Sequence, residues 1–379
     1  MLGTPSYGDG AGFLLLSRLV RALHREKGFS VLAWESGLYD CHVMRRKLAD
    51  PERRTDEAAS WGLHAVFGAS AQCLPLVRYA RESLGGERPL RFAGIDPQFT
   101  GRGSEEWLGA FLAWLDAPDG ANLPDALRTG LEKARRRLDF SPFFPTEDQL
   151  ERDREIVAAI ERLVADPDGP WVRHHGATDV SFMLRTLRCF LVQAELRLRF
   201  RRPETRADGG RLRARTIADN LVWLATERHP DARIVVWIEA SHAARRPTAV
   251  AIDDESVSFE GFRTAGDAAR EAFGDRARSI LVTAGGGAAA IVNQPPFDLP
   301  APPPGSFEEL ALRTGEELLF VDLRAVPEDG PASFLRDQLA ARPLSHRFGV
   351  ARWPEICDGF LFVRTMTPST LPADDDFGR

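Results

Sequence analysis

The chain has 379 residues, of which 44% are hydrophobic and 27% charged, enough to bury a sizeable core and too ordinary for a disordered, collagenous or disulfide-scaffold protein. With Lys+Arg 49 against Asp+Glu 55, the formal net charge is −6, which leaves no basic field for phosphate backbones, and no nucleic-acid partner is expected. The four cysteines, Cys41, Cys73, Cys189 and Cys357, are far apart and form no CxxC pair, so neither a disulfide framework nor a zinc site is expected.

Short apolar runs rich in β-branched residues alternate with amphipathic helical patterns, the signature of an α/β protein: a mostly parallel sheet flanked by helices, with a large helical insertion or cap. Phe13 to Lys27 has apolar residues at helical spacing, and Gly28 ends it. Strands are expected at Ser30–Glu35, Leu90–Asp96, Arg233–Glu239, Ser279–Thr283, Leu318–Asp322 and Gly359–Arg364. Between Gly103 and Asn220 the pattern is helical, with Arg-rich faces read as solvated, the alternative being a cap whose arginines meet an anionic ligand. Pro295 to Gly305 reads as a stiff connector, and the tail from Pro372 as frayed. The expected division is 1-102 as the first part of the core, 103-225 as the helical region, 226-371 as the second part of the core and 372-379 as the tail.

No apolar run approaches the ~20 residues of a membrane span, and no basic n-region precedes the short apolar stretch Phe13–Leu16, so no membrane partner is expected and a cytoplasmic location is the default. Oligomeric state is not legible.

Several strand runs end on a polar residue. In an open parallel sheet the carboxyl ends line one crevice, so Glu35, Asp96, Glu239 and Thr283 are expected to face a common cleft. The stretch Gly3-Thr-Pro-Ser-Tyr-Gly-Asp-Gly-Ala-Gly12 runs into a helix, but Phe13 stands where a dinucleotide fingerprint needs its third glycine, so no nucleotide cofactor is expected. No G-x-S-x-G elbow is present, and the adjacent His174 and His175 have no spaced third partner, so no serine nucleophile and no metal site are read. His242, a few residues beyond the apolar run Ile234–Ile238, falls at the crevice mouth, where an imidazole can serve as acid, base or oxyanion donor; the plainer alternative is a helix-start histidine satisfied by backbone.

Several segments, in order along nearly the whole chain, resemble the erythromycin esterase family. They are Leu2-Gly-Thr-Pro-Ser-Tyr-Gly-Asp-Gly10, Gly28-Phe-Ser-Val-Leu-Ala-Trp-Glu-Ser-Gly37, Phe92-Ala-Gly-Ile-Asp-Pro-Gln98, Arg215-Thr-Ile-Ala-Asp-Asn-Leu-Val-Trp-Leu224, Ile234-Val-Val-Trp-Ile-Glu-Ala-Ser-His-Ala-Ala-Arg245 and Asp358-Gly-Phe-Leu-Phe-Val. The resemblance implies a deep cleft and metal-independent hydrolysis of a macrolactone ester, with a His, helped by Glu residues, activating water. The family reads G-E-x-x-H at the first loop, has a Glu ending the second strand and often an Arg on the first helix, and has W-A-H-N-x-H after a later strand. Here the loop Glu falls on Thr4, the loop His on Tyr7 and the first later His on Glu239, while the helix Arg aligns near Leu16, with Arg18 close by. Glu35 and His242 keep the expected identity. The chain also leaves almost no room for the strand that leads into the loop.

Tyr, with an unperturbed pKa of about 10, is a poor base, and losing a general base alone typically costs ~10²–10⁴ in rate. Two readings follow. The favoured one is a relative that has lost hydrolysis and binds a small molecule or peptide, as an accessory protein in secondary metabolism, through a cleft holding Thr4, Ser6, Tyr7, Asp9, Arg18, Glu35, Asp96, Glu239 and His242. The other is an enzyme with rearranged chemistry, in which His242 is base, Glu35 and Glu239 are acid or orienting groups and Tyr7 donates to an oxyanion. Separation of His242 from every carboxylate by more than ~4 Å would remove that second reading.

Overall fold

The computed structural model describes residues 1–139, 144–252, 254, 258–290 and 295–372. Of the tail read as frayed, residues 373–379 lie outside the described residues. The strands are β1 (Leu2–Thr4), β2 (Phe29–Gly37), β3 (Arg91–Asp96), β4 (Arg233–Glu239), β5 (Ala251–Ile252), β6 (Ile280–Ala289), β7 (Phe297–Asp298), β8 (Leu318–Asp322), β9 (Gln338–Leu344), β10 (Arg347–Arg352) and β11 (Gly359–Met366).

The main sheet has the order β3-β2-β4-β1-β6-β11-β8, parallel throughout except for the antiparallel edge strand β8, with β7 paired to β6. A strand does lead into the glycine-rich loop. The three-residue β1 sits mid-sheet between β4 and β6, where both neighbours supply ladder partners and Ile280 N–H donates to the Met1 carbonyl at 2.9 Å. Short length is tolerated because the strand is buried on both sides. A second, three-stranded antiparallel sheet, β5-β10-β9, was not anticipated; β5 is only two residues long, and arginines in β9 and β10 blur their apolar alternation.

The first helix, Gly10–Lys27, ends at Gly28, whose φ of +73° is the left-handed cap that glycine adopts without a Cβ penalty. Its inner face (Phe13, Leu16, Val20) packs on the sheet against Trp237, which stacks on Trp34 at 4.6 Å between centroids. Helices Ser104–Asp116, Asp125–Asp139, Glu147–Val164, Ala177–Phe200 and Pro203–Trp223 form a layer over the other face, with Trp107, Phe111 and Phe190 at its centre. Among the described residues no helix is long and apolar enough to cross a membrane.

β6 runs six residues beyond its expected end, through Gly285, Gly286 and Gly287, because β11 pairs with it along that stretch. Thr283 is therefore mid-strand, not at a strand end, and its hydroxyl is hydrogen-bonded to buried Glu308. It does not share the cleft expected of it.

Candidate functional site

The carboxyl ends of β2, β3, β4 and β1 converge, and their polar residues meet. β2 bulges between Trp34 and Gly37, the irregularity that holds Glu35. The bulged backbone passes so close to β3 that a Cβ on Gly94 would lie 2.2 Å from the Gly37 carbonyl oxygen, so that crossing needs glycine.

Glu35 is wholly buried and fully engaged. Its Oε1 accepts from the Tyr7 hydroxyl at 2.5 Å and from Arg213 Nη2 at 2.8 Å, and its Oε2 accepts from the Glu239 backbone N–H at 2.7 Å. Burial alone pushes this carboxyl upward, but the Arg213 guanidinium, with the Tyr7 and Glu239 donors, outweighs it and holds the group below its ordinary 4.5. Arg213 also binds Asp96, Nη2 lying 2.5 Å and Nε 3.2 Å from Oδ2. One guanidinium thus serves two carboxylates that are themselves out of water.

His242 lies in the short helix Ala240–Ala243 that follows β4. Its Nε2 is 3.4 Å from Arg213 Nη1 and 3.7 Å from Glu35 Oε1, within the limit that keeps the acid–base reading alive. A guanidinium only donates, so the geometry assigns the lone pair to Nε2 and the proton to Nδ1, which is buried without a hydrogen-bond partner. Burial first, with the Arg213 charge adding to it, lowers its pKa below 6.5 against the upward pull of Glu35 and Asp96.

Glu239 has the opposite character to Glu35. Burial, reinforced by the Glu35 charge, raises it to about 8 even though Ser241 donates to it, so it is a carboxylic acid at neutral pH. Its Oε2 accepts from the Ser241 amide at 3.1 Å and from the Ser241 hydroxyl, while Oε1 is buried and unpartnered. Burial and the neighbouring carboxylate push Tyr7 well above 10, so it is a donor and not a base.

Tyr7, Arg213, Glu239 and His242 form one wall of a 310 Å³ cavity, with Glu35 and Asp96 buried behind them; the remaining lining is Pro5, Phe200, Gly210 and Phe262, with Ser6 and Ser345. Two larger grooves, of 620 and 600 Å³, lie around Arg245 and Arg336; mostly ion-paired charges line them, and they hold none of these groups.

Of the residues expected in the cleft, Tyr7, Glu35, Asp96, Glu239 and His242 come together. Ser6 borders the cavity, but its hydroxyl donates to the Ala290 carbonyl at 2.6 Å. Thr4 stands beside Glu239 in register, fully buried, its hydroxyl unpartnered and away from the cavity lining. Asp9 faces the other way: it accepts from the Ser6 amide at 2.9 Å and pairs with buried His346 at 2.9 Å, tying the glycine-rich loop to the β9–β10 turn. Arg18 projects from the exposed side of its helix and takes no part.

The guanidinium comes instead from Arg213, inside the Arg-rich helical region, and it meets carboxylates of the chain itself instead of an anionic ligand. One signal was available. Arg213, Ile217 and Asn220 share one helical face, and Asn220 donates to the Ile95 carbonyl at 2.9 Å, next to Asp96. Among the described residues no group of three or more His, Cys, Asp or Glu is arranged to hold a metal.

The parallel sheet, with an acid–base cluster at its carboxyl edge under a helical layer, defines an α/β protein with a strand-end cleft. A family model described as erythromycin esterase matches residues 24–370, and the chain belongs to that family. It is 21% identical over 383 residues to the putative hydrolase YbfO of Bacillus subtilis strain 168, covering 98% of this chain and 84% of that one. Its fold is similar to that of a Bacillus cereus protein (TM-score 0.76, 16% identity, 98% of this chain and 89% of the other). It is also similar to a succinoglycan biosynthesis protein (0.74, 15%, 98% and 88%) and to an erythromycin esterase EreC mutant in its open conformation (0.69, 15%, 98% and 91%).

Proposed function

We propose that this family member binds a small, largely apolar molecule in the 310 Å³ cavity and has lost the family's ester hydrolysis. The observation that carries this reading is the state of Glu35. Glu35, one of the cluster's two buried anions, has both oxygens taken, and one donor is Tyr7, the residue standing where the family resemblance expects a histidine. A water in the cavity finds no free carboxylate, and the imidazole lone pair of His242 faces a cation. The cavity offers a ligand Phe200 and Phe262 for apolar contact, and protonated Glu239, whose buried Oε1 has no partner, can donate to a carbonyl or hydroxyl oxygen once its carboxyl turns toward the cavity.

One observation favours an enzyme instead: a buried carboxylic acid with an unspent oxygen, raised to about 8, is suited to general acid catalysis.

Mass-spectrometric assay of a macrolactone and activated-ester panel separates the two. The wild type should give no turnover, whereas a variant carrying Thr4→Glu, Tyr7→His and Glu239→His should recover it. Turnover by the wild type that His242→Ala abolishes would overturn the binding reading. Ligand-observed NMR with neutral carbonyl-bearing fragments tests occupancy directly: Gly210→Leu, which fills the cavity against Phe262, should remove the binding.

A further inference from the structure

A second cluster lies away from this cleft, along the outer edge of the main sheet. The helix Leu38–Leu48 presents Leu38, His42 and Arg45 on one face, toward the edge-strand residues Phe92 to Gly94. The opposite wall is a π-helical turn, Leu224–Arg228, closed by the His229 amide donating to the Leu224 carbonyl at 2.9 Å. Such turns are rare and cluster at functional sites. This one brings Arg228 and His229 into the groove facing Arg45.

The charge there is not balanced. Arg45, Arg91 and Arg228 lie close enough for mutual repulsion to lower the Arg45 pKa, with burial the larger cause. The groups facing them are few. Asp179, itself largely exposed, is bound to Arg228 at 3.0 Å, Glu227 accepts from the Ser181 hydroxyl at 2.7 Å, and Arg46 turns away to Glu106. Among the described residues Arg45 and Arg91 have no hydrogen-bond or ion-pair partner. Burial, and then the surrounding arginines, hold both His42 and His229 down at about 4, so neither adds charge at neutral pH. A protein of net charge −6 thus keeps half-buried Arg45 in this groove, and exposed Arg91 just outside it, with no bonded counter-charge, the one carboxylate nearby, Asp179, being taken by Arg228. The space among them is about 30 Å³, room for roughly two waters and too small for a ring system, so an occupant would seat part of itself there and leave the rest toward solvent.

We propose that this groove binds a tetrahedral oxyanion, phosphate or a group of its size and charge, between Arg45 and Arg228, with Arg91 at its mouth. A doubly charged oxyanion supplies the two missing charges, and its oxygens match the planar guanidinium forks.

Calorimetry of the full chain with inorganic phosphate, at ionic strength matched with potassium chloride, tests this. Saturable one-site binding is expected, falling about tenfold or more in Arg45→Met. Phosphate should also raise the NMR titration midpoints of His42 and His229 in the wild type, a reading that needs no variant. In phosphate-free buffer Arg45→Met should unfold at the same or a higher temperature than the wild type, because it relieves repulsion. No saturable binding, equal binding by Arg45→Met, unmoved histidine midpoints, or tighter binding of acetate than of phosphate or sulfate would each overturn the assignment.

Discussion

Replacing Arg213 with Met keeps the length and apolar stem of the side chain and deletes the charge that Glu35 and Asp96 share. Both carboxylates are buried, with 0% and 1% of their side chains exposed, so neither gains water in exchange. Breaking a buried ion pair from one side costs about 3–5 kcal/mol, because an uncompensated charge stays behind. The pH dependence carries the argument further. In the wild type, Glu35 is held below its ordinary pKa, so its contribution to stability is present above about pH 4.5 and lost as the pH falls through the lower folded value. In Arg213→Met, burial is no longer opposed by that cation and the Glu35 carboxyl moves upward, so it protonates and tolerates its site at low pH. Urea unfolding at pH 7 and pH 4 should therefore show a gap of about 3–5 kcal/mol at pH 7 that shrinks markedly at pH 4. The triple variant Arg213→Met, Glu35→Gln, Asp96→Asn removes all three charges and should recover most of the loss at pH 7. A gap of less than about 1 kcal/mol at pH 7, or an equal gap at both pH values, would show that the cluster does not hold these carboxylates as charged partners.

Glu239 gives the opposite slope. Its folded pKa of about 8 lies above its ordinary 4.5, so wild-type stability should fall by about 1.4 kcal/mol per pH unit between those values, while Glu239→Gln lacks this slope; parallel urea midpoints from pH 5 to pH 8 would refute it. Tyr7→Phe deletes a hydrogen bond to a charged acceptor and should cost about 1.5–3 kcal/mol in urea unfolding at pH 7. Gly94→Ala should lower stability by about 3 kcal/mol, seen as a large drop in Tm, because the added methyl meets the Gly37 backbone and not a movable side chain. Asp9→Ala should cost about 2–4 kcal/mol by leaving the Ser6 amide and His346 without their acceptor. Urea unfolding of Asp9→Ala within about 0.5 kcal/mol of the wild type would show that these two contacts do not hold the loop.

Much of the sheet was legible because buried parallel strands need only local information. The buried parallel strand Arg233–Glu239 is bounded as its apolar run is, as is the exposed antiparallel edge strand Leu318–Asp322, and the helix ends at Gly28 where a left-handed cap demands glycine. The polar residues closing β2, β3 and β4 were readable as a cleft by the same logic, since parallel topology puts strand ends together whatever the partner order. Arg213 was not readable, because a guanidinium on an arginine-rich helix differs from its neighbours only in which face the packing turns inward. Asp9 and Arg18 show the converse: proximity in sequence to the glycine-rich loop does not decide direction, and one helical turn separates a buried face from an exposed one. The extension of β6 through three glycines depends on β11, 70-odd residues later, offering its ladder. The sequence by itself determined the fold class, most strand positions and the residue types at the cleft. Only the tertiary structure decided that Glu35 is locked as an anion while Glu239 is a neutral acid, because a carboxyl's charge is set by burial and by the cations within reach, and both are properties of packing.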